Sequence, residues 1–219
     1  MDVVIFGASG MVGQGILREC LLDPGVERVL AVGRAPLALR DAKLESAVVP
    51  DLRDLSSVEE RLRQCDACFF PLGVSSSGLD ERRFSELTYD LTLAWARTLA
   101  RVSPQMAFLY VSGVGTGGKA MWARVKGRTE AALLGLFPDA YMVRLGMLRP
   151  VHGEVSRTRL ARALYTVLGP LAPVVQALAP GLVIDSDALG RAMIRAARER
   201  PPTHVLEMRD LQALARPGP

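Results

Sequence analysis

The sequence predicts an α/β fold of the doubly wound kind, a parallel sheet with helices on both faces, and three observations predict it. Short apolar, β-branched runs alternate with longer helical patterns from the first residue to about position 150, which is the sequence form of repeated strand–helix–strand units. The strand-length runs are apolar almost throughout, which implies burial on both faces. The first run ends in a glycine-rich turn that opens directly into a helical pattern. With 219 residues, size scaling buries about 70% of the unfolded surface, enough for one core without staples. A single domain over 1–219 is therefore expected, with residues 151–202 forming a cap beside its functional edge.

Taken in order, strands are expected at Asp2–Gly7, Arg28–Gly33, Ala47–Pro50, Ala67–Leu72, Met106–Ser112 and Ala140–Leu145, with a last one at His204–Glu207. Helices are expected at Met11–Leu22, Ser57–Gln64, Glu81–Val102, Lys119–Leu136 and Asp187–Arg198. Ser57 and Asp80 supply side-chain acceptors for the first amides of their helices. Beyond Pro150 the pattern changes, and residues 163–184 carry no charge. Pro170, Pro173 and Pro180, with Gly169 and Gly181, would break a lone spanning helix. The stretch is expected to pack in the core or at a homodimer contact, with membrane contact as the alternative that Arg157, Arg159 and Arg162 at one end suggest.

Composition narrows the function classes. Lysine plus arginine total 27 against 23 acids, a formal charge of +4, spread along the chain instead of gathered in a block. Only 5% of residues are aromatic, and none alternate with basic residues as a nucleic-acid stacking platform requires, so no nucleic-acid partner is expected. Cys20, Cys65 and Cys68 are too few for a disulfide framework, which points to reduced thiols and a cytoplasmic protein.

The most specific constellation opens the chain: Val3-Val4-Ile5-Phe6, then Gly7-Ala8-Ser9-Gly10-Met11-Val12-Gly13, then a helix. Gly7 permits the tight turn, Gly10 lets backbone approach a pyrophosphate, and Gly13 lets helix and strand pack closely. The amides of Ser9, Met11 and Val12 then face the phosphates from the helix start. The second strand ends in Val32-Gly33-Arg34 with no acid at its tip. An acid there would accept from a ribose 2′-hydroxyl, whereas the Arg34 guanidinium grips a 2′-phosphate, so the expected cofactor is NADP in preference to NAD. Asp51-Leu52, after the third strand, stands where an adenine edge is read.

These residues resemble the short-chain dehydrogenase/reductase superfamily in its atypical branch of NAD-dependent epimerase/dehydratase-like and NAD(P)H-binding proteins. The resemblance covers most of the chain. It extends to Pro71-Leu72-Gly73, Tyr110-Val111-Ser112 and Val143-Arg144-Leu145-Gly146, and it implies that Leu72 and Gly73 touch the cofactor. The family's catalytic unit is a serine, a tyrosine, and a lysine four residues after the tyrosine. By that pattern Ser112 and Lys126 are the catalytic residues, Lys126 also holding the nicotinamide ribose, and Trp122 stands where the tyrosine belongs. An indole N–H donates a hydrogen bond but has no accessible acid pKa. Two readings follow. One is an oxidoreductase or epimerase/dehydratase-like enzyme on a small carbonyl or hydroxyl substrate, with its proton from water or from a residue such as Tyr165 or Tyr89. The other is a protein that holds NADP(H) without turnover and reports cofactor state to a partner.

Three further constellations are weighed. Gly113–Lys119 nearly matches a phosphate-binding P-loop, but Ala120 lacks the hydroxyl that would hold Mg²⁺; the segment is expected instead as a mobile lid beside the substrate pocket. Cys65-Asp66-Ala67-Cys68 has redox-pair spacing without a second pair, so the thiols are expected as buried small residues and no metal is expected. Ser75–Gly78, Arg149 and His152 fall at the same sheet edge, where they can meet nicotinamide or an anionic substrate group.

Overall fold

In the computed structural model of the chain, which describes residues 1–51, 54–154 and 180–216, β1 (Asp2–Phe6) is central and the two sides of the strand feed two cores. Val3 and Ile5 belong to one apolar cluster and Val4 and Phe6 to the other, because alternate residues of a strand point to opposite faces. That is why the run reads as continuously apolar.

Around it lie β2 (Arg28–Gly33), β3 (Leu44–Val48), β4 (Ala67–Phe70), β5 (Ala107–Val111), β6 (Ala140–Val143) and β9 (Val205–Leu206). They form a seven-stranded sheet in the order β3-β2-β1-β4-β5-β6-β9, parallel at every pairing. The order reverses between β1 and β4, and ligands of doubly wound sheets bind at that switch point, outside the carboxyl ends of the strands. The doubly wound expectation is met.

On one face pack α1 (Met11–Leu22) and α6 (Ser186–Glu199). On the other pack α2 (Glu59–Leu62), the run α3 (Glu81–Ser85) and α4 (Leu91–Val102), and α5 (Met121–Leu134). The helix expected over Glu81–Val102 is interrupted by a π-turn at Glu86–Asp90. Asp80 caps it by accepting from the Arg83 amide at 2.7 Å.

Three parts differ from the sequence expectation. β3 begins three residues early, at Leu44, because as an edge strand it buries only Ala47 and an apolar-run criterion misses Glu45 and Ser46. β7 (Met147–Arg149) pairs with β8 (Val183–Asp185) in a separate two-stranded sheet, both too short to register as strands. A final α7 (Met208–Leu214) closes a capping box between Glu207 and Asp210. Residues 34–43, between β2 and β3, contain no helix. No helix among the described residues is long and apolar enough to cross a membrane, and the uncharged stretch up to residue 179 lies outside the described residues.

The α1–α6 crossing is set by glycines. A Cβ on Gly15 would stand 2.8 Å from Ser186 Cβ and 2.9 Å from the Ser186 carbonyl oxygen, and one on Gly190 would stand 2.6 Å from the Glu19 side chain. Small residues here let two helix backbones approach closely, and added volume must push the axes apart. Gly15→Ala is therefore expected to lower the unfolding free energy by about 1–3 kcal/mol, read as a drop in urea midpoint at unchanged slope.

Candidate functional site at the carboxyl edge of the sheet

The turn from β1 into α1 separates two kinds of glycine. Gly7 sits at φ +100°, where L side chains are strained, and its added Cβ would meet Leu72 at 3.0 Å. A Cβ on Gly13 would meet the Gly7 carbonyl oxygen at 2.1 Å. Both are glycine because the fold requires it. Gly10 is not: its φ of −80° suits any residue, and its Cβ would meet only the Gly7 oxygen, at 3.4 Å. Gly73, after β4, would meet nothing within 4 Å. Gly10 leaves space at the start of a helix with no acid in its first turn, and Gly73 leaves space beyond the end of β4. The amides of that turn have no intrahelical acceptors and carry the positive end of the helix dipole. A pyrophosphate fits this cradle by chemistry and by room.

A cavity of about 100 Å³ adjoins the cradle, lined by Gly7, Ser9, Gly33, Arg34, Leu72 and Trp95 among others. The predicted Ser9, Arg34 and Leu72 thus meet at one place. Arg34 is exposed and makes no ion pair among the described residues, so its guanidinium is available to an anion. Asp51 is exposed beyond the end of β3, and Leu52 lies outside the described residues. A larger groove of about 740 Å³ runs along the outer side of α1, past Leu17, Leu21 and Leu37 to His152 and Glu154. It occupies the flank where a doubly wound crossover helix would lie between β2 and β3.

Ser112, at the end of β5, is buried, and its hydroxyl donates to Glu130 Oε1 at 2.5 Å. Glu130, itself buried, accepts from Arg144 through Nε at 3.2 Å and Nη2 at 2.7 Å. Arg144 also reaches Glu207 at 3.1 Å. This network ties β5, α5, the turn after β6 and the start of α7. It fixes Ser112 as a hydrogen-bond acceptor toward the edge, because its one proton is committed to the carboxylate. Sequence reading missed Glu130 and Arg144 as partners. The available signal was Glu130 one turn beyond Lys126, on the same helix face.

Lys126 lies on α5 with its Nζ 6.0 Å from the centre of the Tyr110 ring and no ion pair among the described residues. Burial disfavours the ammonium and lowers its pKa to about 8, the Glu130 charge opposing this only in part. Trp122, one turn earlier, packs against the glycine loop. Its ring atoms lie 3.9 Å and 3.6 Å from where a Cβ on Gly113 and Gly115 would be. The loop's own amides are occupied: Val114 donates to the Leu145 carbonyl, Thr116 to Gly113, Gly117 to Ala123 and Gly118 to Gly115, at 2.9–3.0 Å. A phosphate cradle needs such amides free. The P-loop likeness is thereby dismissed, and two of these bonds tie the loop to α5 through Ala123 and to the turn after β6 through Leu145.

The other predicted groups fall elsewhere. Arg149 pairs with Asp185 at 2.6 and 2.7 Å, joining β7 to β8. Cys20, Cys65 and Cys68 are free and buried, and burial pushes the Cys65 thiol up to about 12. Among the described residues no cluster of metal-ligating side chains occurs. Ser75–Gly78 is a largely exposed loop, Tyr89 stacks under the Arg128 guanidinium at 4.4 Å, and Tyr165 lies outside the described residues.

No protein-family model matches the chain. A curated relative from Emericella nidulans, "Protein fmp52, mitochondrial", is 28% identical over 206 residues, 89% of this chain and 86% of that protein. Its name corrects the cytoplasmic expectation. Buried free thiols argue against disulfide-forming compartments and do not separate one reducing compartment from another. UDP-glucuronic acid 4-epimerase from Bacillus cereus, solved in complex with NAD, superposes with a TM-score of 0.68 at 12% identity, covering 95% of this chain and 76% of that one. A dTDP-glucose 4,6-dehydratase from Streptomyces venezuelae, with NAD bound, gives 0.68 at 15%, covering 98% and 80%. The chain has the fold of these NAD-binding epimerases and dehydratases.

Two outcomes test the site. Gly10→Ala is expected to unfold at the wild-type urea midpoint but to lose dinucleotide affinity, whereas Gly13→Ala is expected to lose several kcal/mol of stability, about 3 or more, for want of room beside a backbone carbonyl. Lys126→Met is expected to stabilise the fold at pH 7 by on the order of 2 kcal/mol, since the buried ammonium is disfavoured. The unfolded lysine binds more protons than the folded one between about 8 and its ordinary value. Wild-type stability therefore rises with pH across that window, and the advantage of the variant disappears above it.

Proposed function

We propose that the chain is an NAD(P)-binding protein of the short-chain dehydrogenase/reductase type, acting as an oxidoreductase or epimerase/dehydratase-like enzyme on a small carbonyl or hydroxyl substrate, with NADP preferred. The observation that carries the reading is the contrast among the edge glycines. Gly7 and Gly13 are demanded by packing, while Gly10 and Gly73 have no packing reason, Gly10 leaving room at a helix start and Gly73 beyond the end of β4.

Each residue then has a role. The first amides of α1 hold the pyrophosphate, and Gly10 lets them approach it. Arg34 forms two parallel charge-assisted bonds to a ribose 2′-phosphate, and the lack of an acid at that strand tip removes the acceptor a 2′-hydroxyl would use. Asp51 borders the adenine. Leu72 and Gly73 floor the passage from the adenosine half toward Ser112. Lys126 holds the nicotinamide ribose, and Ser112 accepts a hydrogen bond from a substrate hydroxyl. A bound nicotinamide supplies or accepts hydride.

A second reading, binding without turnover, is favoured by Trp122, whose indole N–H is not an acid in the accessible range. Titration with NADPH and NADH separates the cofactor alternatives. Arg34→Ala is expected to weaken NADPH by about 10- to 100-fold, the worth of a charge-assisted pair, and to leave NADH within about threefold. Equal loss for both would remove the 2′-phosphate role. Trp122→Tyr is expected to raise carbonyl reduction if the chain is an enzyme short of its phenol, and no gain across a panel of aldehydes and ketones supports the binding-only reading.

A further inference from the structure

Among the described residues at the edge beside Ser112, Lys126 is the ionisable group whose proton no hydrogen bond or ion pair engages. The Ser112 hydroxyl donates a hydrogen bond to Glu130 at 2.5 Å, and Glu130 is paired with Arg144 at 2.7 Å. Tyr110 is buried at 1% exposure, and burial with the Glu130 charge pushes its phenol far above its usual range. Trp122 offers an N–H that does not ionise. The elements packed against α5 bring no counter-ion for Lys126. Glu81 is engaged by Arg124 at 2.6 Å and Glu86 by Arg83 at 2.8 Å, Tyr89 lies under Arg128, Thr88 offers only a buried hydroxyl and Asp90 is exposed. Lys126 stands one turn from Trp122 on the same helix face, above the ring of Tyr110.

We infer that Lys126 is the proton donor of this site, giving an Nζ proton to the carbonyl oxygen of the substrate in place of the phenol that Trp122 displaces. The inference rests on the oxidoreductase reading above and adds to it the identity of the acid. Reduction of a carbonyl by a reduced nicotinamide dinucleotide consumes one proton and yields an alcohol and the oxidised dinucleotide. Here the N–H bond of Lys126 breaks as the O–H bond of the alcohol forms, and the neutral amine regains its proton from solvent. Desolvation suits the group to this work, since an acid is most effective with a pKa near the operating pH, and that of Lys126 is brought down to about 8.

The chain has three lysines, Lys43, Lys119 and Lys126, so protein labelled with carbon-13 at lysine Cε gives three signals, with that of Lys126 assigned by its loss in Lys126→Arg. One signal is expected to titrate near 8 and the other two near 10.4. NADPH titration and steady-state reduction of the aldehyde and ketone panel are followed on the same samples. The turnover rate is expected to fall about tenfold per pH unit above the Lys126 midpoint. Lys126→Arg keeps the cation but cannot release its proton, so it is expected to lose about 100-fold or more in turnover at saturating NADPH, the lower end of the range for a positioned acid. A Lys126 signal that titrates with the other two overturns the inference. So does an unchanged rate in Lys126→Arg, or no turnover by a wild type that binds NADPH. Failure of the wild type to bind any dinucleotide overturns instead the reading on which it rests.

Discussion

The turn that carries β1 into α1 is the constraint on which the rest depends. Its space is fully used: the Gly7 carbonyl lies where a Gly13 Cβ would need to be, and Leu72 closes over Gly7 from the end of β4. That contact brings the start of α1 to the carboxyl edge at the point where the strand order reverses. With α1 fixed there, its opposite face is set against α6 through Gly15 and Gly190, and α6 carries Leu189, Met193 and Ile194 into the core beneath β1, β4 and β5. The cradle, the small cavity beside it and the docking of α6 are consequences of one turn that tolerates no side chain at two positions.

The second organising element is electrostatic. A carboxylate as buried as Glu130 needs pairing and hydrogen bonds to offset its burial, and Arg144 and Ser112 provide both. Because Arg144 also meets Glu207, the same guanidinium links α5 to β9 and α7 near the end of the described chain. The consequence for chemistry is a division of labour. Glu130 accepts from the arginine and from the serine hydroxyl, and Lys126, one turn away on the same helix, makes no ion pair among the described residues. A tyrosine at 122 would bring a phenol to this edge. The indole instead covers Gly113 and Gly115, and the loop beneath it bonds through its own amides to α5 and to Leu145.

Much of this was legible in the sequence. The strand order class followed from continuous apolar runs alternating with helices, and α1 and β2 fell at the expected residues, because buried parallel strands and glycine turns leave strong local signals. β3 was misplaced since an edge strand buries one residue in five, and β7 and β8 were missed since three-residue strands carry no periodicity. Gly7, Gly10, Gly13 and Arg34 were singled out by spacing and context, and Lys126 by the family resemblance. The pairing of Ser112 with Glu130 was not, as it joins residues 18 apart on a strand and a helix.

The sequence by itself determined the architecture, the position of the glycine-rich turn after β1 and the presence of an indole at Trp122, all of which are local patterns of hydrophobicity, backbone freedom and residue type. Tertiary structure decided which groups at the edge are chemically free. It separated the glycines the fold needs from those that leave room, tied up the glycine loop's amides, and committed the Ser112 proton. Those outcomes depend on distances between segments far apart in the chain, and a hydrogen bond or an ion pair exists only where folding brings its two partners within about 3 Å.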